Sequence, residues 1–209
     1  MRAFLGAALV AAIAVLPFEA RGEDEGPPGV PYVAIRGGIF NPTGPSLDGF
    51  ENGGALAGAV GWLAEGHRYA WELSWRRSTM SGFGVDIAQS SLLGSLRVHG
   101  DLGKLQSAFS VGLGWSTTTL SWNATAQVPA YSEKDSRAGF FFSAGLSYPM
   151  GSLADLLLET TYGGAYATLL ESPTWIAGFT LEIGIRVRLG GSAPARPATP
   201  AEGGAPPPL

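Results

Sequence analysis

The chain has 209 residues, 31 of them glycine, with no cysteine, a net charge of −4 and only 14% charged side chains. That length suits one domain plus tails, and the missing thiols exclude a disulfide framework, a thiolate metal site and lipid attachment through cysteine. The charged fraction is well below the ~25% of an ordinary soluble surface, and the mild acidity makes no electrostatic case for a nucleic-acid partner.

The first element in chain order is a continuous apolar run from Ala3 to Phe18, preceded by Arg2 and followed by Ala20-Arg21-Gly22. A positive start, a short apolar core and a small-x-small exit predict a secretory signal peptide over 1–22. The run is shorter than the ~20 residues a spanning helix needs, and Pro17 interrupts it. The mature chain is therefore expected to start near Glu23, with 23–30 a short lead-in.

Eight segments of strand character follow. The first runs from Tyr32 to Phe40, with Val33, Ile35 and Ile39 opposite Ala34, Arg36 and Gly38. The second, Ala55 to Leu63, is rich in Gly and Ala and has the weakest pattern. The third sets Tyr69, Trp71, Leu73 and Trp75 against Ala70, Glu72, Ser74 and Arg76. The fourth sets Leu92, Leu96 and Val98 against Leu93, Ser95 and Arg97, and the fifth Phe109, Val111, Leu113 and Trp115 against Ser110, Gly112, Gly114 and Ser116. The sixth places Phe140, Phe142, Ala144, Leu146 and Tyr148 opposite Phe141, Ser143, Gly145 and Ser147. In the seventh, Ala154 to Gly163, Leu156, Leu158 and Tyr162 oppose Leu157, Glu159 and Thr161. The eighth is the clearest: Phe179, Leu181, Ile183, Ile185, Val187 and Leu189 alternate with Thr180, Glu182, Gly184, Arg186 and Arg188. Successive side chains leave a strand on opposite faces, so this period of two predicts β structure throughout. Beyond it, 191–209 is dominated by Ala, Pro and Gly and predicts a disordered tail.

The connections alternate in length. Ala64 to Arg68, His99 to Lys104 and Pro149 to Leu153 are tight, whereas Asn41 to Gly54, Arg77 to Val85, Thr118 to Arg137 and Gly164 to Thr174 are longer and polar. In an up-and-down meander alternate connections share an end. Strands of about ten residues with short periplasmic turns and longer extracellular loops predict an all-β, eight-stranded antiparallel transmembrane barrel over 31–190. An even strand count returns both termini to the periplasmic side.

The opening Tyr32 to Pro42 and the closing Gly178 to Leu189 strand resemble the small OmpA-like outer-membrane β-barrel domains. The resemblance implies residence in a Gram-negative outer membrane among lipid and lipopolysaccharide, after delivery by barrel-insertion machinery. In contrast with many such domains, Leu189 is followed by a tail and not by the end of the chain.

A soluble lipocalin-like barrel would also alternate. Here, however, the polar face is mostly Gly, Ala and Ser, and Lys104 and Lys134 are expected in a turn and a loop. Small residues suit the crowded interior of an eight-stranded barrel, while Trp62, Tyr69, Trp71, Trp75, Trp115 and Tyr148 suit interfacial girdles facing lipid. The strand charges Arg36, Glu72, Arg76, Arg97, Glu159, Glu182, Arg186 and Arg188 then face the lumen. Buried charges need partners. The meander predicts Glu72 beside Arg97, Glu159 near Arg186, and Arg36 near a Glu182–Arg186 pair.

Little in the sequence suggests catalysis. His67 and His99 are expected in tight turns, away from the outer surface. Lipid A deacylases use a His-x-Ser arrangement and the palmitoyltransferases a His near the extracellular end, neither of which is present. Asp48, Glu51 and Asn52 could hold a divalent ion bridging lipopolysaccharide, but two carboxylates in one loop are weak evidence for a metal site. The sequence thus predicts a non-enzymatic protein without cofactor. Its contact surface for an extracellular ligand would be the loop bearing Trp122, Tyr131, Glu133, Lys134, Asp135 and Arg137, with a narrow pore for small solutes as the alternative reading.

Overall fold

A computed structural model describes residues 29–64, 68–125 and 127–189. The predicted signal peptide, the predicted tail, His67 and nearly all of 23–30 lie outside them. Eight strands form one closed barrel in sequence order: β1 (Val30–Thr43), β2 (Gly53–Leu63), β3 (Tyr69–Gly82), β4 (Val85–Leu102), β5 (Leu105–Trp122), β6 (Tyr131–Pro149), β7 (Ala154–Leu169) and β8 (Ser172–Arg188). Every neighbouring pair is antiparallel, and β8 closes on β1 from Tyr32↔Arg188 to Thr43↔Ala177. Closure leaves no edge within the wall, so every backbone polar group at membrane depth can be satisfied by a neighbouring strand.

The pleat sorts the side chains. Outward lie Val33, Ile35 and Ile39 from β1, Leu113 from β5, and Leu181, Ile183 and Ile185 from β8, together with the six interfacial aromatics. Inward lie alanines, serines, glycines and the strand charges. An apolar exterior over a polar interior inverts a soluble barrel and marks a transmembrane one. Glycines in the wall let long side chains lie flat across the lumen. A Cβ at Gly61 would collide with the Tyr32 ring, and one at Gly184 with the Arg36 side chain.

The start of β1 and the end of β8 lie at what we call the proximal end, and the strands run well past membrane length at the distal end. The strands hold 11 to 19 residues, against the ~10 that a tilted crossing requires. Three of the four predicted long loops are therefore mostly strand. Arg77 to Val85 reduces to the turn Phe83-Gly84, whose φ of 54° and 75° give the left-handed pair a two-residue hairpin favours. Gly164 to Thr174 reduces to Leu170-Glu171, where two non-glycine residues adopt φ of 50° and 64°. The β5–β6 connection is Asn123 to Ala130 alone, and Lys134 lies in β6. At the proximal end the predicted His99–Lys104 turn is also largely strand. His99 pairs with Ala108 and Gly100 with Ser107, so the chain reverses only at Gly103-Lys104.

Candidate functional site

The interior is filled in three layers. At the distal mouth Phe40, Leu47, Met80, Ile87, Leu120, Ala167, Leu169 and Ile176 form a buried apolar cluster. Leu47 belongs to a 3-10 turn, Pro45–Leu47, in the β1–β2 connection, which folds inward as a stopper. The segment is held by the Glu51 amide donating to the Ser81 carbonyl at 2.8 Å and by Phe50 against Phe83, edge to face at 6.1 Å.

Beneath it lies an ionic layer. Arg36 donates to Glu72 and to Glu159, each at 3.0 Å, and approaches Glu182 at 3.9 Å. Arg97 binds Glu159 at 2.6 Å and lies 3.8 Å from Glu72. Arg76 binds Glu182 at 2.5 Å and the Thr161 hydroxyl at 2.9 Å, and its guanidinium sits 5.0 Å from the Phe141 ring centroid. The Tyr32 hydroxyl donates to Glu72 at 2.9 Å. Three guanidinium groups thus meet three carboxylates, all at most 12% exposed. Burial strengthens each attraction, but only because every charge has a partner.

In the proximal layer the sequence places Arg186 and Arg188 but does not mark Asp155. Asp155 accepts from Arg186 at 2.7 Å and also from Arg188, and the Arg186 guanidinium stacks 5.5 Å from the Tyr32 ring centroid. Arg186 pairs with Asp155 and not, as expected, with Glu159 or Glu182. The β7–β8 register sets Asp155 opposite Arg186 and places Glu159 opposite Glu182, four residues further along the strand. Asp155 adjoins the predicted turn, and an acid there reads as a solvated residue. The signal that could have exposed it is the parity it shares with Glu159. His99 is likewise corrected: it lies within β4, half-buried, on the inward side with Arg97.

The predicted contact residues are not in a loop. Trp122 ends β5 and Tyr131 opens β6, paired and stacked at 4.4 Å between ring centroids, while Glu133, Lys134, Asp135 and Arg137 follow in β6. Here the wall splits. The β6–β7 ladder ends at Gly139↔Ala165, beyond which β6 pairs only with β5 and β7 only with β8. Side chains bridge the gap: Asp135 accepts the Thr168 amide at 2.6 Å, Glu133 accepts the Leu170 amide at 2.8 Å, and Arg137 binds both Asp135 and the Thr168 hydroxyl. The Glu133 carboxylate also secures the strained Leu170-Glu171 turn.

The Thr168 amide, and after it the Arg137 guanidinium, hold the Asp135 carboxyl below the usual carboxylate range. Because its folded value lies below the unfolded one, the bridge contributes fully above the unfolded value, near pH 4, and is lost as pH falls through the folded one. We expect the Thr168 amide resonance to move with a midpoint below about 4. A resonance that does not move through that range, or that moves equally in Asp135→Ala, would show that the bridge does not form.

No protein-family model matches this sequence, and no curated protein matches it. Solved structures do match in fold. Neisserial surface protein A is 14% identical, with a TM-score of 0.57 over 77% of this chain and 97% of its own. Ail, the attachment invasion locus protein of Yersinia pestis, solved with the heparin analogue sucrose octasulfate, is 14% identical at a TM-score of 0.52 over 78% and 99%. A major outer membrane protein from Thermus thermophilus is 13% identical at 0.50 over 77% and 99%. With its closed eight-stranded meander, apolar exterior and charged lumen, the chain has the fold of the small, OmpA-like outer-membrane β-barrels.

Proposed function

We propose that this protein is a non-enzymatic outer-membrane barrel with a closed lumen, whose working surface is the distal rim, facing outward from the cell. The observation that carries this reading is the filled interior. An apolar stopper, a neutral ionic layer and the Asp155 layer lie in series across the lumen. Both termini would then be periplasmic, and lipid and lipopolysaccharide would surround the apolar wall.

The rim offers a rigid surface, because the paired β5–β6 hairpin is braced against the β7–β8 hairpin by Glu133, Asp135 and Arg137. Its stacked Trp122–Tyr131 pair and mixed charges suit contact with an extracellular partner. Tyr131 to Asp135 are ladder residues, so the connection can be shortened without cutting the strands only between Asn123 and Ala130.

The test is planar-bilayer recording of the refolded protein, with folding checked by a gel band that shifts on boiling. The expected result is a quiet bilayer, with surface binding altered by replacing 123–130 with a short turn. Reproducible unitary steps from the wild-type protein would favour the second reading, a narrow pore. One observation supports that alternative: a cavity of about 50 Å³, lined by Arg76, Gln89, Thr161 and Thr180 among others, lies in the lumen beside the ionic layer.

A further inference from the structure

We propose that the lumen binds one small monovalent anion of halide type, enclosed between the ionic layer and the Asp155 layer. Among the described residues the interior holds five guanidinium groups, those of Arg36, Arg76, Arg97, Arg186 and Arg188. Against them stand four carboxylates, those of Glu72, Asp155, Glu159 and Glu182. The ionic layer balances three against three, whereas in the proximal layer Arg186 and Arg188 share the single Asp155. Five minus four leaves one positive charge without a counter-charge in a water-poor interior, a strongly unfavourable state.

A cavity of about 10 Å³ lies between these two layers, with Arg97, Arg186, His99, Ser147 and Glu159 in its wall. The cavity is about the size that one water needs, and a chloride ion, wider than a water, would fill it completely. Two buried donors of that wall, Arg97 Nε and Ser147 Oγ, have no hydrogen-bond acceptor in the protein. Glu159 also contributes to the wall: Arg36 and Arg97 bind its Oε2, while its Oε1 accepts no hydrogen bond and lies 3.8 Å from Arg76. The surplus charge selects an anion over water, and the cavity size excludes larger oxyanions. None of this depends on whether the barrel conducts or on what its rim binds.

The experiment compares urea unfolding of the refolded barrel in phosphatidylcholine vesicles with sodium chloride, sodium bromide or sodium gluconate at equal ionic strength. Chloride and bromide are expected to raise the folding constant saturably over gluconate, by roughly 11-fold at ten times the half-saturating concentration. Arg188→Met leaves four charges against four and should abolish the effect while folding well in gluconate. Ser147→Val fills the cavity without changing charge and should also abolish it. Crystals grown with bromide should show an anomalous peak beside Arg97 and Ser147. Equal folding constants in chloride and gluconate would overturn the proposal and leave a water in the cavity. So would a halide effect of the same size in both variants, which would mark a general salt effect.

Discussion

Replacing Arg36 with alanine is expected to destabilise the barrel by about 3–5 kcal/mol, the range for breaking a buried ion pair from one side. Arg36 joins β1 to Glu72 on β3 and to Glu159 on β7, and lies 3.9 Å from Glu182 on β8. Without it three carboxylates share two guanidinium groups, and the space its side chain filled stands open. The measurement is urea unfolding in lipid vesicles. Adding Glu159→Gln restores the balance at two against two, so the double variant should recover part of the loss, with a coupling energy of about 0.5–3 kcal/mol. A single-variant cost below about 1 kcal/mol would match an exposed pair, and would mean that water reaches the layer and the lumen is not plugged there. The variant should still conduct poorly, because the apolar stopper around Leu47 closes the distal mouth independently.

The second large effect is expected at Asp155. Asp155→Asn is isosteric, yet it removes the one carboxylate shared by Arg186 and Arg188, both nearly fully buried. It raises the surplus positive charge of the lumen from one to two, and a loss of about 3–5 kcal/mol should follow. Arg188→Met removes a partner of the same carboxylate but brings the lumen to neutrality, and should cost far less. The comparison separates charge balance from hydrogen bonding, since each substitution breaks a bond to Asp155 but they shift the net charge in opposite directions. Equal costs for the two would show that bond loss, and not charge, governs this layer.

The loop predicted over Thr118 to Arg137 shows how far alternation can be read. Within the membrane one face meets lipid and the other the lumen, so side chains alternate and the strand is visible. Above it both faces meet water and the apolar period ends, yet Thr117 to Ser121 still pair with Ser132 to Ser136. Polar sequence reads as loop where the hydrogen-bonded ladder simply continues. The hairpin at Leu170-Glu171 was hidden for a related reason: neither residue favours positive φ, so no turn signal marks it. The same reasoning misplaces His99 and Gly100, which extend β4 into the predicted turn.

The sequence by itself determined the eight-stranded meander, the alternation of faces along the strands, and all but one, Asp155, of the charges that enter the lumen. These follow from a period of two and from what each solvent accepts. Tertiary structure alone decided which charges meet. Arg97 on β4 reaches Glu159 on β7, and Arg76 on β3 reaches Glu182 on β8, contacts made across the interior and not along neighbouring strands. Closure and stagger set the height of each charge, and a long guanidinium arm can cross an eight-stranded lumen. Pairing strands one at a time therefore misses the bonds that cross the lumen, whereas Asp155, set opposite Arg186 by the β7–β8 register, is within its reach once the strand is extended to the turn.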